Sequence, residues 1–375
     1  MKLPTLDDLG PLEGRSVLVR CDFNVPLADG EITDDFRIRA AVPTLRRLVD
    51  AGARVTACTH LGRPAGRPDP RWSVEPVRRR LAELVEGVEL LENLRFDPGE
   101  TANDPEFVDR LVDGHDAYVN EAFGASHRAH ASIVGPPARL PSAAGLLLTR
   151  EVEVLTGLRT DPARPFVAVM GGAKVSDKLG VIEALLDVVD ALVIGGGMCF
   201  TFLAAGGHSV GASLLEPDMI DTCRRLLDGP RPIHLPVDIT ALGPGGRLFE
   251  PEAGGEVRQM GVDLPEGWMG VDIGPGTAAA FGDVIHEART VLWNGPMGAF
   301  EDPRFAAGTE AVARAMAETR AFTVVGGGDS AAAARRFGVT KAMDHVSTGG
   351  GASLELIEKG DLPGLEALRG APNVV

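Results

Sequence analysis

The chain has 375 residues, of which 44% are hydrophobic and 24% charged, with 37 Lys and Arg residues against 53 Asp and Glu residues. This length predicts two domains rather than one core. The formal net charge of −16 disfavours binding to nucleic acid or to an anionic membrane. The sequence contains neither a signal-peptide pattern nor an apolar stretch long enough to span a membrane. We therefore expect a cytoplasmic protein whose anionic ligands bind at a local basic site.

Short β-branched runs alternate with helical patterns along the whole chain. This alternation is typical of parallel sheets covered by helices, and in such folds ligands bind at the carboxyl ends of the strands. We predict an α/β fold of two doubly wound, Rossmann-like parallel-sheet domains separated by a cleft. The predicted buried strands are residues 16–20, 53–59, 116–120, 166–170, 191–196, 270–274, 290–294 and 322–327.

The segment LLLTREVEVLTGLRTDPARP, residues 146–165, predicts the domain boundary. Its apolar residues have helical spacing, and the pattern ends in a turn that contains Pro162 and Pro165. We predict an N-terminal domain at 1–149, an interdomain helix and linker at 150–165, and a C-terminal domain at 166–357.

The cysteines are scattered, without a C-x-x-C pair or a His at metal-ligand spacing. This pattern favours neither a zinc site nor a disulfide framework. We expect reduced and mostly buried thiols at Cys21, Cys58, Cys199 and Cys223.

The polar loops after the strands of the first half share one feature, since each contains an arginine. These residues are Arg20, Arg37, Arg39, Arg63, Arg95 and Arg128. A single loop arginine is most often a solvated surface charge, but a cluster on an acidic protein indicates a small polyanionic ligand, because guanidinium groups bind phosphate and carboxylate through paired hydrogen bonds. Asp22 and Asn24 would accept hydrogen bonds from its hydroxyls. Asp22 could equally be a turn residue, and His60 a packed core histidine.

The loops of the second half are rich in glycine and lie between predicted strands and predicted helices. They read GGAKVSDK, GGGMCF, NGPMGAFE and GGGDSAAAA. Backbone amides at a helix N-terminus bind phosphate. Glycine has no Cβ and therefore lets the phosphate approach these amides closely. One such loop is weak evidence, since glycine also serves tight turns. Four in succession, with Lys174 and Lys178 nearby, favour nucleotide binding.

Neither the P-loop motif nor the dinucleotide-binding fingerprint is present. Asp329, which follows three glycines, is a candidate Mg²⁺ ligand, because this ion takes one or two carboxylates and completes its shell with phosphate and water. Asp329 could also cap a helix, and the two roles are compatible. Residues 345–358, HVSTGGGASLELIE, predict one further helix N-terminus directed at a ligand, although its Ser and Thr could be ordinary caps.

Nine motifs, in order along nearly the whole chain, resemble the phosphoglycerate kinase family. Such a series is far more specific than any single glycine-rich loop. The motifs are VLVRCDFNVPL, THLGRPAG, ENLRF, AFGASHRAHAS, GGAKVSDK, WMGVDIGP, VLWNGPMGAFE, VVGGGDS and VSTGGGASLELIE.

The resemblance implies a monomeric, cytoplasmic kinase of glycolysis and gluconeogenesis. It would transfer a phosphoryl group reversibly from 1,3-bisphosphoglycerate to ADP, giving 3-phosphoglycerate and ATP. The N-terminal domain would bind phosphoglycerate and the C-terminal domain the nucleotide with Mg²⁺. The domains would close over the cleft by hinge bending, and a C-terminal tail at 358–375 would pack on the N-terminal domain.

The resemblance also implies roles for individual residues. Arg37, Lys174 and Lys178 would stabilise charge on the transferring group, Glu301 would bond the ribose, and Asp329 would bind Mg²⁺. Phosphoglycerate would be bound by Asp22, Phe23, Asn24, Arg37, His60, Leu61, Gly62, Arg63, Arg95 and Arg128. The nucleotide would be bound by Lys178, Gly195, Gly196, Gly197, Gly270, Asn294, Glu301, Gly327, Gly328, Asp329 and Ser330, with Gly195 to Gly197 and Gly270 lining the adenine slot.

The sequence departs from the family pattern at three places. Glu121 stands where Asp is usual and Ser330 where Thr is usual, and both changes keep the functional group. The stretch LAELVEGVELLENLRF, residues 81–96, is shorter than usual. There we expect a helix that runs almost directly into the Arg95 motif and the loss of an edge element of the domain.

The implied chemistry requires no general base, because the nucleophile in the ATP-consuming direction is a substrate carboxylate that is already ionised. Catalysis would come from in-line positioning and from neutralising charge on the transferring group. The alternatives are a non-catalytic nucleotide-binding homologue and a nucleotide-dependent oxidoreductase. The intact Arg37, Lys178 and Asp329 disfavour the first, and the missing dinucleotide fingerprint disfavours the second.

Overall fold

A sheet of five parallel strands forms the centre of the first part of the chain, in a computed structural model that describes residues 2–371. The strands are β1 (Ser16–Arg20), β4 (Arg54–Cys58), β5 (Val88–Leu90), β6 (Ala117–Asn120) and β7 (Ser142–Ala144), and a short antiparallel ribbon is formed by β2 (Leu27–Ala28) and β3 (Glu31–Ile32). The sheet order is β5-β4-β1-β6-β7. From β1 the chain therefore adds β4 and β5 on one side of the sheet, and then adds β6 and β7 on the other side of β1. Ligands of doubly wound sheets bind at this switch point.

Central strand β1 is buried along its whole length. Val17, Leu18 and Val19 have no exposed surface, because helices cover both faces of the sheet. The chain after β1 can therefore place polar groups only beyond the carboxyl edge of the sheet. The helices of this part are α1 (Phe36–Asp50), α2 (Glu75–Leu84), α3 (Gly99–Ala102), α4 (Pro105–Val112), α5 (Ala131–Val134) and α6 (Leu146–Thr160).

The expectation that a helix runs almost directly into the Arg95 motif is wrong. Helix α2 ends at Leu84, and β5 follows as a strand of three residues that pairs in parallel with β4 at the edge of the sheet. The sequence pattern did not predict this strand, because it is short and only its last residue, Leu90, is buried. A short edge strand therefore lies between α2 and the Arg95 motif, and the loss of a further edge element of the family stays a prediction.

The second part of the chain forms a sheet of six parallel strands in the order β10-β9-β8-β14-β15-β16. These are β8 (Phe166–Met170), β9 (Ala191–Ile194), β10 (Ile233–His234), β14 (Thr290–Asn294), β15 (Phe322–Gly326) and β16 (His345–Val346). The order reverses between β8 and β14, which pair along their full lengths. The loops after these two strands begin at Gly171 and Gly295, so two of the glycine-rich motifs meet at the switch point.

The predicted strand at 270–274 belongs to a different sheet. It lies in β13 (Met269–Ile273), which pairs antiparallel with β11 (Asp238–Leu242), and β12 (Val257–Gly261) pairs antiparallel with the other edge of β11. Its β-branched residues correctly indicated a strand, but composition does not specify which strand is its neighbour. The expectation that it belongs to the parallel sheet is wrong.

The helices of the second part are α7 (Leu179–Leu186), α8 (Cys199–Ala205), α9 (Ile220–Leu227), α10 (Pro275–Glu287), α11 (Ala307–Glu318), α12 (Gly328–Arg336) and α13 (Gly351–Lys359), and α14 (Pro363–Arg369) follows them. Contacts divide the chain into two units, the first reaching Thr156 and resuming at Lys359, and the second spanning Gly157–Glu358. Helix α14 packs against α5 in the first unit, where the Gly364 amide donates to the Ser126 carbonyl over 2.9 Å. Residue 1 of the predicted N-terminal domain and residues 372–375 of the predicted tail lie outside the described residues.

The predicted α/β class, with parallel sheets in two domains, is confirmed. The prediction of reduced, buried thiols also holds, because all four cysteines are free and buried. Within residues 2–371, no helix has both the length and the apolar character needed to cross a membrane.

Candidate active site

The loop after β1 and the first turn of α1 meet in an ion pair. Arg37, the second residue of α1, donates from Nη1 to Oδ2 of Asp22 over 2.6 Å. The Asp22 side chain is 7% exposed and that of Arg37 29% exposed, so the guanidinium is partly open to solvent while the carboxylate is nearly covered. The pair fixes Arg37 in one orientation and leaves some of its donors available to a ligand.

A chain of hydrogen bonds joins three of the predicted substrate loops. The Gly62 amide donates to Oδ1 of Asn24 over 2.9 Å, and the Gly62 carbonyl accepts from Nη1 of Arg95 over 2.8 Å. Gly62 has φ +60°, and a Cβ there would lie 2.1 Å from a ring carbon of Trp72, so only glycine fits. Arg95 is 9% exposed, and within the described chain its Nε has no hydrogen-bond partner. This donor is thus free for a ligand oxygen.

His60 is a buried, neutral donor in the same cluster. Burial, followed by the positive charges of Arg20, Arg95, Arg128 and Arg37, lowers the pKa of His60 well below its usual value. Its Nδ1 lies 3.0 Å from Nη2 of Arg20. Because a guanidinium only donates, Nδ1 accepts and the ring proton must be on Nε2. His60 can therefore donate one hydrogen bond from Nε2.

The remaining predicted substrate residues differ in exposure. Arg128 donates from Nε to Nε2 of His127 over 3.2 Å, and its charge helps burial to lower the pKa of Arg95 to about 10. Arg63 is exposed. Phe23 and Leu61 are fully buried, so their side chains belong to the core and only their backbone is left for ligand contacts.

A fully buried network beneath this cluster was not predicted. Arg20 donates from Nε to Oγ of Ser132 over 2.7 Å, and the Ser132 hydroxyl donates to Oε1 of Glu100 over 2.7 Å. Arg20, Ser132 and Glu100 have no exposed surface. Arg20 was one of the strand-end arginines in the sequence, but the structure makes it a support for His60. Loss of one partner from a buried ion pair typically costs about 3–5 kcal/mol.

Glu121, one of the departures from the family pattern, caps the start of α6. Its carboxylate accepts from the amides of Leu147 and Leu148 over 3.2 and 3.4 Å. Burial raises the pKa of Glu121 to about 8, against hydrogen bonds from Thr44 and these two amides. The side chain is 1% exposed, so its role within the described residues is structural.

Lys178 and Asn294 meet at the switch point of the second unit. Nζ of Lys178 donates to the Gly171 carbonyl and to Oδ1 of Asn294, each over 2.7 Å. Burial lowers the pKa of Lys178 to about 8, although Asp329 and Asp177 oppose this shift. Within residues 2–371, Nδ2 of the buried Asn294 has no hydrogen-bond partner. That amide is a donor aimed at an acceptor that the chain itself does not supply.

The predicted phosphate loop opens helix α12. Gly327 precedes the helix with φ +90°, and a Cβ there would lie 2.9 Å from Nδ2 of Asn294. Ser330 is fully buried, and its Oγ accepts from the Gly295 amide over 2.6 Å, which ties this loop to the one after β14. Gly328 and Asp329 are exposed at the first positions of the helix, where amides lack an intrahelical acceptor.

The glycines of the predicted adenine slot allow close packing of neighbouring segments. A Cβ on Gly195 would lie 2.5 Å from Sδ of Met297, and one on Gly270 would lie 2.2 Å from the Phe200 ring. A Cβ on Gly197 would lie 2.7 Å from Leu214, which was not predicted and is 53% exposed. The only signal for Leu214 in the sequence was a pair of leucines in a polar stretch. Gly196, with φ +66°, belongs to the same set.

The other two predicted nucleotide residues are on the surface. Lys174 is exposed in the loop after β8, and Glu301 is exposed in the loop after β14. The backbone that follows Lys174 is held by Glu216, which accepts from the amide of Val175 over 2.6 Å and from the amide of Ser176 over 3.2 Å. Glu216 was not predicted either, because it lies far from this loop in the sequence.

These two sites define a class of protein. Guanidinium groups converge at the switch point of one α/β unit, and glycine-rich loops with helix N-termini converge at the switch point of the other. Together they are typical of a two-domain kinase that binds a small anionic substrate in one unit and a nucleotide in the other.

Comparison with known proteins is consistent with this class. The family model described as Phosphoglycerate kinase matches residues 6–89 and 85–360, and the two matches meet in the stretch where the sequence is short. The chain is 54% identical to a phosphoglycerate kinase of Rubrobacter xylanophilus, over 95% of this chain and 96% of that protein. It is 53% identical to one of Salinispora arenicola, over 98% and 100%.

Solved structures show the same similarity. The structure of phosphoglycerate kinase from Coxiella burnetii has a TM-score of 0.88 and 36% identity, and that from Pyrococcus horikoshii has 0.85 and 31%. Each comparison covers 98% of this chain and 99% of the other. The chain belongs to the phosphoglycerate kinase family. The predicted kinase activity is thereby confirmed, and a non-catalytic homologue is not favoured.

Proposed function

We propose that this chain transfers a phosphoryl group reversibly between 1,3-bisphosphoglycerate and ADP, giving 3-phosphoglycerate and ATP, at the residues predicted from the sequence. The domains would be 1–149 with the tail 358–375 for phosphoglycerate, 150–165 as helix and linker, and 166–357 for the nucleotide. The observation that carries the proposal is the convergence of Arg37, His60, Arg95 and Arg128 on one region of a protein with a net charge of −16.

In the first unit, the phosphate and carboxylate of the substrate accept hydrogen bonds from the arginines. Nε of Arg95 and Nε2 of His60 are available donors in the buried part of the cluster. Asp22 and Asn24 accept from the substrate hydroxyl, as their carboxylate and amide oxygens allow. Arg63 and Arg128 complete the set at its exposed side, and Phe23, Leu61 and Gly62 contribute backbone.

In the second unit, the nucleotide phosphates lie over the N-terminus of α12. The amides of Gly327 to Ser330 and the orphan Nδ2 of Asn294 donate to phosphate oxygens. The adenine base lies against Gly195, Gly196, Gly197 and Gly270. Glu301, exposed at the edge of its loop, accepts from the ribose hydroxyls.

The residues present fit a Mg²⁺ ion that arrives with the nucleotide. Among residues 2–371, no group of three or more His, Cys, Asp or Glu side chains is arranged to hold a metal. Asp329 is a single exposed carboxylate at the phosphate loop, and Mg²⁺ commonly binds through one carboxylate and the substrate phosphates. When bound, the ion would neutralise phosphate charge.

The chain's own contribution to the reaction is positioning and positive charge. The attacking carboxylate is ionised, so no side chain needs to remove a proton. His60 is neutral and its Nδ1 is occupied by Arg20, so it acts as a hydrogen-bond donor and not as a base. Arg37, Lys174 and Lys178 stabilise the charge that spreads over the transferring group. Because two substrates bound to different units must meet, the proposal includes hinge bending.

We also propose that the enzyme is a monomer and that it acts in the cytoplasm, and the four free thiols support the second of these points.

The experiment is a pair of measurements on purified protein. Wild type should form ATP from 1,3-bisphosphoglycerate and ADP in a coupled assay. Arg95→Met should abolish the calorimetric signal for 3-phosphoglycerate and leave ADP binding unchanged, because only the first unit is altered. If Arg95→Met binds 3-phosphoglycerate like wild type, the assignment of this site is wrong.

A further inference from the structure

One short segment of the second unit touches both ends of the predicted nucleotide site. Leu214 packs against Gly197 in the predicted adenine slot, where a Cβ on the glycine would lie 2.7 Å from the leucine. Two residues later, Glu216 accepts hydrogen bonds from the loop that contains Lys174. The segment from Leu214 to Glu216 is thus a covalent link between the base and phosphate regions.

The carboxylate of Glu216 holds that loop at three points. Oε2 accepts from the amides of Val175 and Ser176 over 2.6 and 3.2 Å, and Oε1 accepts from the Ser176 hydroxyl. These bonds fix the backbone directly after Lys174. Charge-assisted hydrogen bonds of this kind are about twice as strong as neutral ones. Ala173 and Lys174 are exposed and Val175 is fully buried, so the carboxylate holds the backbone where the exposed part of the loop ends.

Glu216 is itself anchored to the body of the unit. Its amide donates to Oγ1 of Thr201 over 3.2 Å, and Thr201 is 1% exposed within α8. Burial acts to raise the pKa of Glu216, but the hydrogen bonds from Ser176 and Val175 outweigh it, so the pKa lies below its usual value. The carboxylate is therefore ionised at neutral pH and fully able to accept all three bonds.

We propose that Glu216 is a positioning residue for phosphoryl transfer, which sets the location of Lys174 through the amides of Val175 and Ser176. The inference rests on the proposed role of Lys174. Because Glu216 follows Leu214, a base in the slot also constrains the segment that holds the lysine. Binding energy at the base would thereby be used to orient the charge that stabilises the transferring group.

The test combines kinetics with a double-mutant cycle. In Glu216→Ala, kcat should fall by about ten- to a hundred-fold, because displacement of a catalytic group by about 1 Å costs up to 10²-fold. The dissociation constant for ADP should change by less than about threefold. Glu216→Gln keeps one acceptor and the size of the side chain, so its kcat should be intermediate. Hydrogen exchange of the peptide 171–178 should accelerate in Glu216→Ala, which reports the freed amides directly.

The cycle separates positioning from general damage. In a Lys174→Ala background, Glu216→Ala should lower kcat no further, because the group that it positions is gone. Asp263→Asn is the matched control, since Asp263 is an exposed carboxylate of the same unit that accepts from the Ser209 amide over 3.0 Å, and its kcat should equal that of wild type. A wild-type kcat in Glu216→Ala, or an equal loss with and without Lys174, would overturn the inference. If Lys174→Ala alone keeps full turnover, the proposed role of Lys174 fails, and the inference fails with it.

Discussion

In the first unit the groups available to an anion are arginine side chains held by buried partners, whereas in the second they are largely backbone amides that glycine leaves uncovered. His60 is supported from below by Arg20, which Ser132 and Glu100 hold in turn, and Arg95 is held by the Gly62 carbonyl. In the second unit the amides of Gly327 to Ser330 lie at the start of α12, where Oγ of Ser330 accepts from the Gly295 amide over 2.6 Å. The first unit therefore depends on side-chain chemistry, and the second on backbone conformation.

The difference has a physical basis in the two substrates. A small acid with a phosphate and a carboxylate needs forked donors from several directions, and guanidinium groups provide them. A nucleotide presents a row of phosphates that a helix N-terminus can contact together. The two units should accordingly respond in opposite ways to side-chain truncation and to backbone strain.

The largest expected effect is that of Arg37→Ala in the first unit. Loss of one group that stabilises transition-state charge typically lowers kcat by about 10²–10³. ADP binding, measured by calorimetry, should stay at the wild-type value because the second unit is unchanged. Arg39→Ala is the matched control, since Arg39 lies on the same helix, is 55% exposed and pairs with Asp35 over 2.9 Å. Equal turnover in the two variants would remove Arg37 from the mechanism.

The sequence was sufficient to predict those features of the site that depend on residues close to one another along the chain. The arginines and glycine clusters follow strands directly, and the strands themselves have recognisable β-branched cores, so both switch points contain predicted residues. The Asp22–Arg37 pair needs only the loop after β1 and the next helix. Such features follow from patterns within about 20 residues of the chain.

Contacts between distant segments could not be predicted in the same way. The residues next to Arg20 in the sequence do not indicate that Glu100 will neutralise it. Those next to Lys174 do not indicate that Glu216 will hold its loop, because a single sequence does not show which side chains meet. The same limit explains β13, whose composition indicated a strand but not its antiparallel partner β11. It also explains β5, where pairing with β4 compensates for a strand of only three residues.

A smaller effect is expected from backbone strain in the second unit. Gly327→Ala forces a φ of +90° on an L-residue and places a Cβ 2.9 Å from Nδ2 of Asn294. The free energy of unfolding of this unit should fall by roughly 1–2 kcal/mol. In Gly328→Ala a Cβ would have nothing within 4 Å and the φ is ordinary, so stability should be unchanged or slightly higher. Urea unfolding of both variants measures the difference, and equal losses would contradict the strain argument.

The smallest expected effect is a difference in pH dependence between the two units. The pKa of Lys178 is lowered to about 8, so above pH 8 the free protein must take up a proton to present a charged lysine to ADP. The affinity for ADP should then fall by up to about tenfold per pH unit, which corresponds to about 1.4 kcal/mol. Below pH 8 the lysine is already charged, and this contribution to affinity should be constant.

In the first unit Glu121 has a pKa of about 8, but it caps α6 and is not one of the predicted substrate residues. The pKa of Arg95 is about 10 and that of His60 lies well below its usual value, so neither changes charge between pH 7 and 9. Calorimetry at pH 7, 8 and 9 should therefore give a constant affinity for 3-phosphoglycerate and a falling one for ADP. Lys178→Arg should abolish the fall, because a guanidinium stays charged throughout. If the affinity for both ligands falls with pH, the pH dependence does not come from Lys178. That result would also remove this distinction between side-chain and backbone recognition.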